Sequence, residues 1–328
     1  MGDTTTTDNI IIDVHMTKQN PDLLRDEIRS GLLSSPKTLP TKYMYDDRGS
    51  ELFERICTLP EYYQTRTEYK ILMSHSDQII KLTGADELVE LGSGAATKTR
   101  VLLDAMEQAN QLRFYVPFDV SEGIVRRVAQ ELVNEYEGLQ IHGVVGDFLA
   151  HLEHIPDGGR RLVIILGGTV GNLDAQAAPQ FLSSIYDEMA SGDFFLLGVQ
   201  LETDLDRLEA AYNDSAGITA EFNKNILLVI GTMLEATFDV EKFEHVARYN
   251  TQHHRIEMHL RSREDQTIHI PKLDMVLHVK EGEEILTEIS TKYDRPRTEQ
   301  LLAQCGFDLL EWFTDSDQLM ALALAKKP

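Results

Sequence analysis

The central part of the chain alternates short apolar runs with segments whose apolar residues recur at helical spacing. Apolar runs of this length predict buried strands, and the amphipathic segments between them predict helices. Regular alternation of the two is typical of an α/β fold with a parallel sheet covered by helices. The predicted strands span residues 88–91, 113–118, 141–145, 162–166 and 194–199, and the helices between them span 97–106, 124–132 and 175–189.

A glycine turn follows the first of these strands. Gly92-Ser93-Gly94 allows the backbone to bend sharply and to approach a ligand closely, because glycine has no Cβ. The helix after the turn directs free backbone N–H groups back towards it. This arrangement predicts a nucleotide-like ligand at the carboxyl end of the sheet.

Three glycine motifs compete for this turn, ELGSGAATKTR. The dinucleotide fingerprint G-x-G-x-x-G and the Walker pattern G-x-x-x-x-G-K-[ST] both fail at Thr97, where each requires a glycine. The remaining pattern, E-L-G-S-G, is the looser turn typical of enzymes that use S-adenosylmethionine (AdoMet). On this stretch alone, an ordinary strand-to-helix turn without a ligand stays an alternative.

Polar residues follow three other predicted strands, namely Asp119, Asp147 and Asn172. The carboxyl ends of parallel strands meet at one edge of the sheet, which is where ligands bind in such folds. Asp119 comes at the distance at which a carboxylate reaches two ribose hydroxyls, although acidic residues at strand ends also cap helices. We expect these side chains to contact the cofactor.

The alternation stops near residue 201 and resumes near residue 293. The block between these points contains antiparallel strands, and a helix and two strands then return to the sheet as the hairpin that ends a seven-stranded methyltransferase sheet. We interpret the block as an insertion that forms a substrate-binding α+β lid. The predicted organisation is a disordered tail over 1–13, a lid domain over 14–65 and 203–292, and an AdoMet-binding domain over 66–202 and 293–328.

Composition narrows the class of partner. The chain of 328 residues has a formal net charge of -23, which argues against nucleic-acid binding because phosphate contacts need clustered Lys and Arg. It lacks an apolar run long enough to span a membrane. The two cysteines, Cys57 and Cys305, are typical of reduced thiols in the cytoplasm. We expect a cytoplasmic monomer that acts on a small molecule.

Two groups of histidines are candidates for a metal site. His151-x-x-His154, and His253-His254 with His259, have no cysteine or carboxylate at convincing ligand spacing. The sequence therefore predicts no metal.

Seven motifs together resemble the histidine-specific Nα-methyltransferases of ergothioneine biosynthesis. In order they are MYDDRGSELFERI, LPEYYQTRTE, LVELGSGAATKTR, PFDV, GDF, GTVGNL and LTEIS. The resemblance covers almost the whole chain from about residue 21. It implies a class I AdoMet-dependent methyltransferase with a Rossmann-like seven-stranded sheet. It also implies AdoMet as methyl donor, L-histidine as acceptor and, after three transfers, N,N,N-trimethylhistidine (hercynine) as product.

The resemblance also implies roles for individual residues. Gly92, Gly94 and Lys98 match the family's cofactor turn, Asp119 matches its ribose-binding acid, and Asp147 with Phe148 matches its adenine-side pair. On the substrate side, Tyr62, Asn172 and Tyr212 match residues that hold the α-amino and carboxylate groups. Glu288 and Ser290 match the pair that holds the imidazole, and Tyr45 and Met258 match further pocket positions, with Tyr45 the candidate catalytic residue.

The spacing of Glu288 and Ser290 fits imidazole recognition on physical grounds. Residues two apart on a strand share a face, so a carboxylate and a hydroxyl can meet both ring nitrogens. Without the resemblance, a solvated strand face would be the simpler interpretation.

Methyl transfer from a sulfonium requires a neutral amine and good positioning rather than a strong base. A chain-terminal amino group titrates at about 8, and a neighbouring sulfonium lowers the pKa of the bound amine further. Tyr45, Tyr62 and Tyr212 could stabilise the growing cation by contacts worth roughly 0.5–2 kcal/mol each. Two alternatives stay open at this point: an AdoMet-dependent enzyme that methylates a tryptophan-like amino acid, and a non-catalytic binding module.

Overall fold

The structure is a computed structural model that describes residues 3–7, 9–15 and 21–328. It divides into two compact units. The first comprises Met1–Thr17, Gln64–Glu202 and Tyr293–Pro328, and the second comprises Lys18–Tyr63 and Thr203–Lys292. The predicted boundaries at residues 66, 202 and 293 lie within two residues of these positions.

The elements are numbered in chain order. The strands are β1 (Asp3–Thr7), β2 (Ile10–Val14), β3 (Lys37–Thr38), β4 (Glu87–Leu91), β5 (Phe114–Asp119), β6 (Gln140–Val145), β7 (Arg161–Ile165), β8 (Phe194–Gln200), β9 (Phe243–Asn250), β10 (Arg255–Ser262), β11 (Gln266–Ile270), β12 (Met275–Val279), β13 (Glu284–Thr291), β14 (Asp308–Thr314) and β15 (Met320–Lys326). The helices are α1 (Pro21–Leu33), α2 (Asp47–Cys57), α3 (Gln64–Thr83), α4 (Thr99–Gln108), α5 (Glu122–Glu135), α6 (Ala177–Glu188), α7 (Leu205–Ala210), α8 (Ile218–Leu234) and α9 (Arg295–Gln304).

A nine-stranded sheet in the order β1-β2-β6-β5-β4-β7-β8-β15-β14 forms the first unit. Strands β2, β6, β5, β4, β7 and β8 run parallel, whereas β15 is antiparallel to both β8 and β14. The seven expected strands are therefore present as a class I methyltransferase sheet that ends in the expected hairpin. The chain order reverses between β4 and β7, which places the glycine turn at the topological switch point, where ligands bind in such sheets.

The expectation of a disordered tail over residues 1–13 is corrected by the two additional strands, β1 and β2, where the structure describes this segment, at 3–7 and 9–13. Residues 1, 2 and 8 lie outside the described part of the chain. Strand β2 pairs in parallel with β6, and β1 pairs with β2. Ile10, Ile12 and Val14 alternate along β2 and are buried in the core. This period of two buries one face of the strand against the unit, which gives the segment a fixed place at the sheet edge.

The sheet of the first unit is covered on both faces. Leu88 of β4 packs with residues of α3, α4 and α5, whereas Val89 and Leu91 pack with residues of α6 and α9. All five residues of β4 are buried. A parallel strand that is buried on both faces is the expected result of this three-layer arrangement.

The second unit contains a four-stranded sheet in the order β3-β13-β10-β9 and a separate hairpin of β11 and β12. Helix α8 is buried along most of its length and packs against α2 and the sheet. A register shift interrupts the β10–β13 pairing, since Met258 lies opposite Glu288 while His259 lies opposite Leu286. This β-bulge leaves Thr287 as the extra residue of β13 and changes which side chains point to the interior.

Candidate functional site

The glycine turn after β4 has the left-handed backbone that only glycine adopts readily. Gly92 has a φ of +77° and Gly94 a φ of +47°. The Gly92 N–H donates to the Phe118 carbonyl at 2.8 Å, which ties the turn to the end of β5. A Cβ on Gly94 would meet no atom within 4 Å, so the space beside this residue is open.

Asp119 closes the turn from the neighbouring strand. Its carboxylate accepts the Gly94 N–H at 2.9 Å and the Ser121 N–H at 3.0 Å. Burial raises the pKa of this carboxyl, and the two backbone donors oppose that rise. The structure therefore brings two predicted cofactor residues, Gly94 and Asp119, into direct contact.

Lys98 forms an ion pair with Glu68, a residue of α3 that sequence reasoning did not single out. Glu68 is fully buried, and its two carboxylate oxygens also accept the Gly167 N–H at 2.9 and 2.8 Å. The pair thus links α3, the start of α4 and the loop after β7. The available signal was the position of Glu68 at the end of the motif LPEYYQTRTE.

Glu90 is a second carboxylate that sequence reasoning missed. It is 3% exposed beneath the glycine turn, and it accepts hydrogen bonds from the hydroxyls of Thr99 at 2.7 Å and Tyr115 at 2.6 Å. Burial raises its pKa to about 7, although these hydroxyls favour the ionised form. The signal that marks Glu90 is a charged residue between the apolar residues Val89 and Leu91 of a buried strand.

Asp147 and Phe148 follow β6. The Asp147 carboxylate accepts the Leu149 N–H at 3.0 Å, and the Asp147 N–H is donated to Nδ1 of His151 at 3.1 Å. A Cβ on Gly92 would lie 3.7 Å from the Phe148 ring. Phe148 therefore lies beside the same glycine turn as Asp119.

Asn172 also belongs to the first unit. It ends a 3-10 helix, Thr169–Asn172, which follows β7 and two glycines with positive φ, Gly167 at +76° and Gly168 at +70°. The residue thus follows a strand at the carboxyl edge of the sheet, as the sequence predicts.

The second unit brings the three predicted tyrosines into one aromatic cluster. The Tyr45 ring lies 5.6 Å from that of Phe53 and 5.2 Å from that of Phe222, in edge-to-face geometry. The Tyr62 ring lies 6.1 Å from Phe53 and 6.4 Å from Tyr212. Burial raises the pKa of Tyr62 well above its usual range, so this phenol keeps its proton.

A tight connection positions Tyr45 at the start of α2. The helix begins after Asp46, whose carboxylate accepts the Gly49 N–H at 2.8 Å. A Cβ on Gly49 would lie 1.6 Å from the Met44 carbonyl oxygen, so this approach requires glycine. The motif MYDDRGS therefore contains both the residue placed in the cluster and the residues that place it.

Strand β13 carries the predicted imidazole pair. Glu288 and Ser290 are 8% and 3% exposed, which rules out a solvated strand face. Met258, a further predicted pocket residue, is 1% exposed and lies opposite Glu288 on β10. Three of the predicted substrate residues are thus adjacent on two paired strands.

Tyr212 and Ser290 meet directly, although the resemblance assigns them to different parts of the substrate. The Tyr212 hydroxyl donates to Ser290 Oγ at 2.8 Å, and Nζ of Lys292 donates to these two oxygens at 2.9 and 2.8 Å. Lys292 is completely buried and was missed by sequence reasoning. The signal was its spacing, because it extends the series Glu288, Ser290 by two further residues.

The chemistry available at these positions is binding and orientation. Among the residues that the structure describes, no group of three or more His, Cys, Asp or Glu side chains is arranged to hold a metal ion. Within the same part of the chain, no helix is both long enough and apolar enough to cross a membrane. The second unit offers buried hydroxyls, a buried carboxylate and aromatic faces, which suit a small polar molecule with a ring.

The chain is similar in sequence to proteins of known function. The family model described as a SAM-dependent, histidine-specific methyltransferase matches residues 24–327. The chain is 47% identical over 302 residues to the histidine N-alpha-methyltransferase of Mycolicibacterium smegmatis, covering 92% of this chain and 94% of that protein. It is 46% identical over 304 residues to the protein of the same name from Mycobacterium tuberculosis, covering 93% and 95%. It is also 30% identical over 302 residues to ergothioneine biosynthesis protein 1 of Neurospora crassa, covering 89% of this chain and 33% of that protein.

Proposed function

Since the chain belongs to the family of histidine-specific, SAM-dependent methyltransferases, we propose that it methylates the α-amino group of L-histidine with AdoMet as donor. Three successive transfers give hercynine, the trimethylated amino acid, for ergothioneine biosynthesis. The enzyme is thus an AdoMet-dependent N-methyltransferase whose substrate is a free amino acid.

The observation that carries the choice of substrate is the buried pair of Glu288 and Ser290 on β13. An ionised carboxylate accepts hydrogen bonds and donates none, so the Glu288 carboxylate suits the N–H of an imidazole. The Ser290 hydroxyl suits the other ring nitrogen. A site built from buried polar groups rejects an analogue that lacks the matching partner by a large factor.

We assign the remaining predicted substrate residues to the amino-acid end. Tyr62, Asn172 and Tyr212 hold the α-amino and carboxylate groups, and Met258 packs against the ring. Because the pKa of Tyr62 is raised, its hydroxyl orients the amine as a neutral hydrogen-bonding group and does not act as a phenolate base. Tyr45 orients the amine, and the Tyr45 ring contacts the methylated cation.

The residues around the glycine turn fit the donor. Asp119 holds the ribose hydroxyls, Asp147 and Phe148 hold the adenine, and Gly92, Gly94 and Lys98 shape the turn around the rest of the molecule. The open space beside Gly94 and the half-buried carboxylate of Asp119, whose pKa is raised by desolvation, are the structural features that support this assignment. When bound, AdoMet supplies an electrophilic methyl group on a sulfonium.

The chain itself contributes mainly by positioning. Holding the amine in line with the methyl group removes roughly 7–11 kcal/mol of the barrier that free reactants face. The amine is neutral at the moment of transfer, because the nearby sulfonium lowers its pKa. Neither a metal nor a strong base is required for this step, and we propose none.

Composition supports a proposal about the setting of the reaction. We place the enzyme in the cytoplasm as a monomer that binds neither nucleic acid nor membranes. The formal net charge of -23 and the two cysteines agree with this setting.

One incubation tests the proposed function. The purified protein is mixed with AdoMet and an equimolar set of free amino acids, and the products are measured by mass spectrometry. We expect histidine with one, two and three added methyl groups, with the last form accumulating. Methylation of tryptophan in place of histidine would favour the alternative substrate class, and the absence of any methylated amino acid would indicate a binding module.

A further inference from the structure

A buried lysine closes the hydrogen-bond network behind Tyr212 and Ser290. Lys292 follows the end of β13, and its Nζ lies 2.9 Å from the Tyr212 hydroxyl and 2.8 Å from Ser290 Oγ. The three groups form a triangle, because the Tyr212 hydroxyl also donates to Ser290 Oγ at 2.8 Å. The proposed function assigns roles to Tyr212 and Ser290 and none to Lys292.

Lysine fixes the direction of two bonds in the triangle, and the Tyr212 hydroxyl donates to Ser290 in the third. A protonated lysine amine has three N–H donors and no acceptor, whereas a serine hydroxyl has one proton and two acceptor lone pairs. Lys292 and Tyr212 occupy both lone pairs of Ser290. The remaining hydrogen bond of Ser290 is therefore one in which its own proton is donated to a third group.

The donated bonds are fixed in the protonated form of the lysine. Burial lowers the pKa of Lys292 to about 7, while the charge of Glu288 opposes the change. A neutral amine would keep two N–H groups for the two hydroxyls but would also carry a lone pair that can accept. Only the protonated lysine, which has no acceptor, commits both hydroxyls to accept from it.

Further contacts hold two corners of the triangle in place. The backbone N–H of Lys292 donates to the backbone carbonyl of His254 at 2.7 Å. The Tyr212 carbonyl lies 2.8 Å from Nε2 of His245, and a carbonyl can only accept, so this nitrogen carries the proton. These contacts hold the backbone of Lys292 and Tyr212 in place.

We propose that Lys292 is a positioning residue that commits the Ser290 hydroxyl to donate to the substrate, so that the site selects a ring with an acceptor nitrogen. The inference rests on the proposed function, since it concerns how the same site chooses its amino acid. Glu288 accepts the ring N–H, and Ser290 donates to the other nitrogen. A neutral imidazole satisfies both groups at once.

The committed proton would also disfavour an indole. The indole ring has an N–H donor and no acceptor nitrogen. If it occupied the site, the Ser290 proton would lie unpaired in a buried environment, which is unfavourable. Lys292 thus contributes to selection of histidine over tryptophan without contacting either ring.

Pairs of ring analogues measure the contribution of the acceptor nitrogen. 3-(Thiazol-4-yl)alanine and 3-(thiophen-3-yl)alanine differ by one ring nitrogen, which stands at one of the two imidazole nitrogen positions. 3-(Thiazol-5-yl)alanine and 3-(thiophen-2-yl)alanine make the same comparison at the other position. Dissociation constants are measured by calorimetry with the protein saturated with S-adenosylhomocysteine. In the wild-type protein, one thiazole should bind at least tenfold more tightly than its thiophene partner.

Substitution of the lysine should reduce this ratio. Lys292→Met keeps the length of the side chain and its apolar stem. In this variant we expect the ratio of the thiophene to the thiazole dissociation constant to fall to threefold or less, because Ser290 can then donate to Tyr212 instead. General loosening of the site affects both members of a pair, so it cancels in the ratio. In Lys280→Met, which alters an exposed lysine of the same unit, the wild-type ratio should persist.

Each outcome decides the inference. An unchanged ratio in folded Lys292→Met overturns it, and so does a wild-type ratio near one for both pairs. If Lys292→Met does not fold, Lys292→Gln is measured instead. Its ratio is expected to lie at least threefold below that of the wild type. An unchanged ratio in Lys292→Gln also overturns the inference. If wild-type protein binds no histidine, the proposed function fails together with the inference. Histidine binding with an unchanged ratio removes the inference alone.

Discussion

Replacement of Glu288 by alanine is the most direct test of how the substrate ring is bound. The carboxylate is 8% exposed, lies opposite Met258 and shares its strand with Ser290. A hydrogen bond to a charged group contributes about 1.5–3 kcal/mol, and each 1.4 kcal/mol corresponds to about a factor of ten in affinity. We therefore expect Glu288→Ala to weaken histidine binding by about 10–150-fold.

The assay is calorimetric titration of histidine into protein saturated with S-adenosylhomocysteine, with binding of the latter measured separately. Binding of S-adenosylhomocysteine should change little, because the predicted donor-binding residues belong to the first unit and Glu288 to the second. Glu288→Gln keeps an uncharged acceptor and should lie between the wild type and alanine. Glu281→Ala, at an exposed position before the same strand, is the matched control. A histidine dissociation constant within twofold of wild type in Glu288→Ala would refute the assignment of the ring to this carboxylate.

Three further predictions concern the first unit. Asp119→Asn keeps one acceptor oxygen for the two backbone donors that the carboxylate now serves, so the affinity for AdoMet should fall about 10–100-fold, as measured by calorimetry; unchanged affinity would argue against a ribose contact. Gly94→Ala adds a Cβ that meets no neighbouring atom, but the alanine must adopt the left-handed backbone of this position. Urea unfolding should therefore show a decrease of about 1–2 kcal/mol in the free energy of unfolding. A decrease below about 0.5 kcal/mol would contradict the role of this φ. Glu90 has a folded pKa of about 7 against an ordinary 4.5, so its contribution to stability is complete below about pH 4.5 and is lost as the pH rises through 7. The advantage of Glu90→Gln over wild type should accordingly increase between pH 5.5 and pH 8 in urea unfolding, and an equal difference at both pH values would exclude a titrating Glu90.

Much of the fold follows from local sequence. The run Leu88 to Leu91, the glycine turn and the helix after it are each specified by neighbouring residues, and their alternation predicts a doubly wound sheet. The tail was predicted wrongly because Ile10, Ile12 and Val14 form too short a pattern to distinguish a strand from a frayed end. Their burial depends on β6, which lies far away in sequence, and only the folded sheet supplies that neighbour.

The candidate site shows the same division. The position of Asp119 and Asp147 at one edge of the sheet could be predicted because strand ends converge in any parallel sheet. Glu288 and Ser290 were singled out by the family resemblance, and their spacing indicated only that they share a strand face. Glu68, Glu90 and Lys292 were missed in spite of weak signals, since a charged side chain in a sequence is by default assigned to the surface. Their burial is stable only because partners from other elements meet them, which local patterns do not record.

For this protein, the sequence alone determined the class of fold, the order of the motifs and the identity of the family, because those properties depend on residues close together along the chain. The tertiary structure decided which polar groups are buried and in which direction their hydrogen bonds run. Lys292 illustrates the difference, because its role depends on the hydroxyl of Tyr212, which lies 80 residues away and reaches it only after folding. Burial makes such a contact valuable, since an unpaired polar group in the interior costs more than one in water.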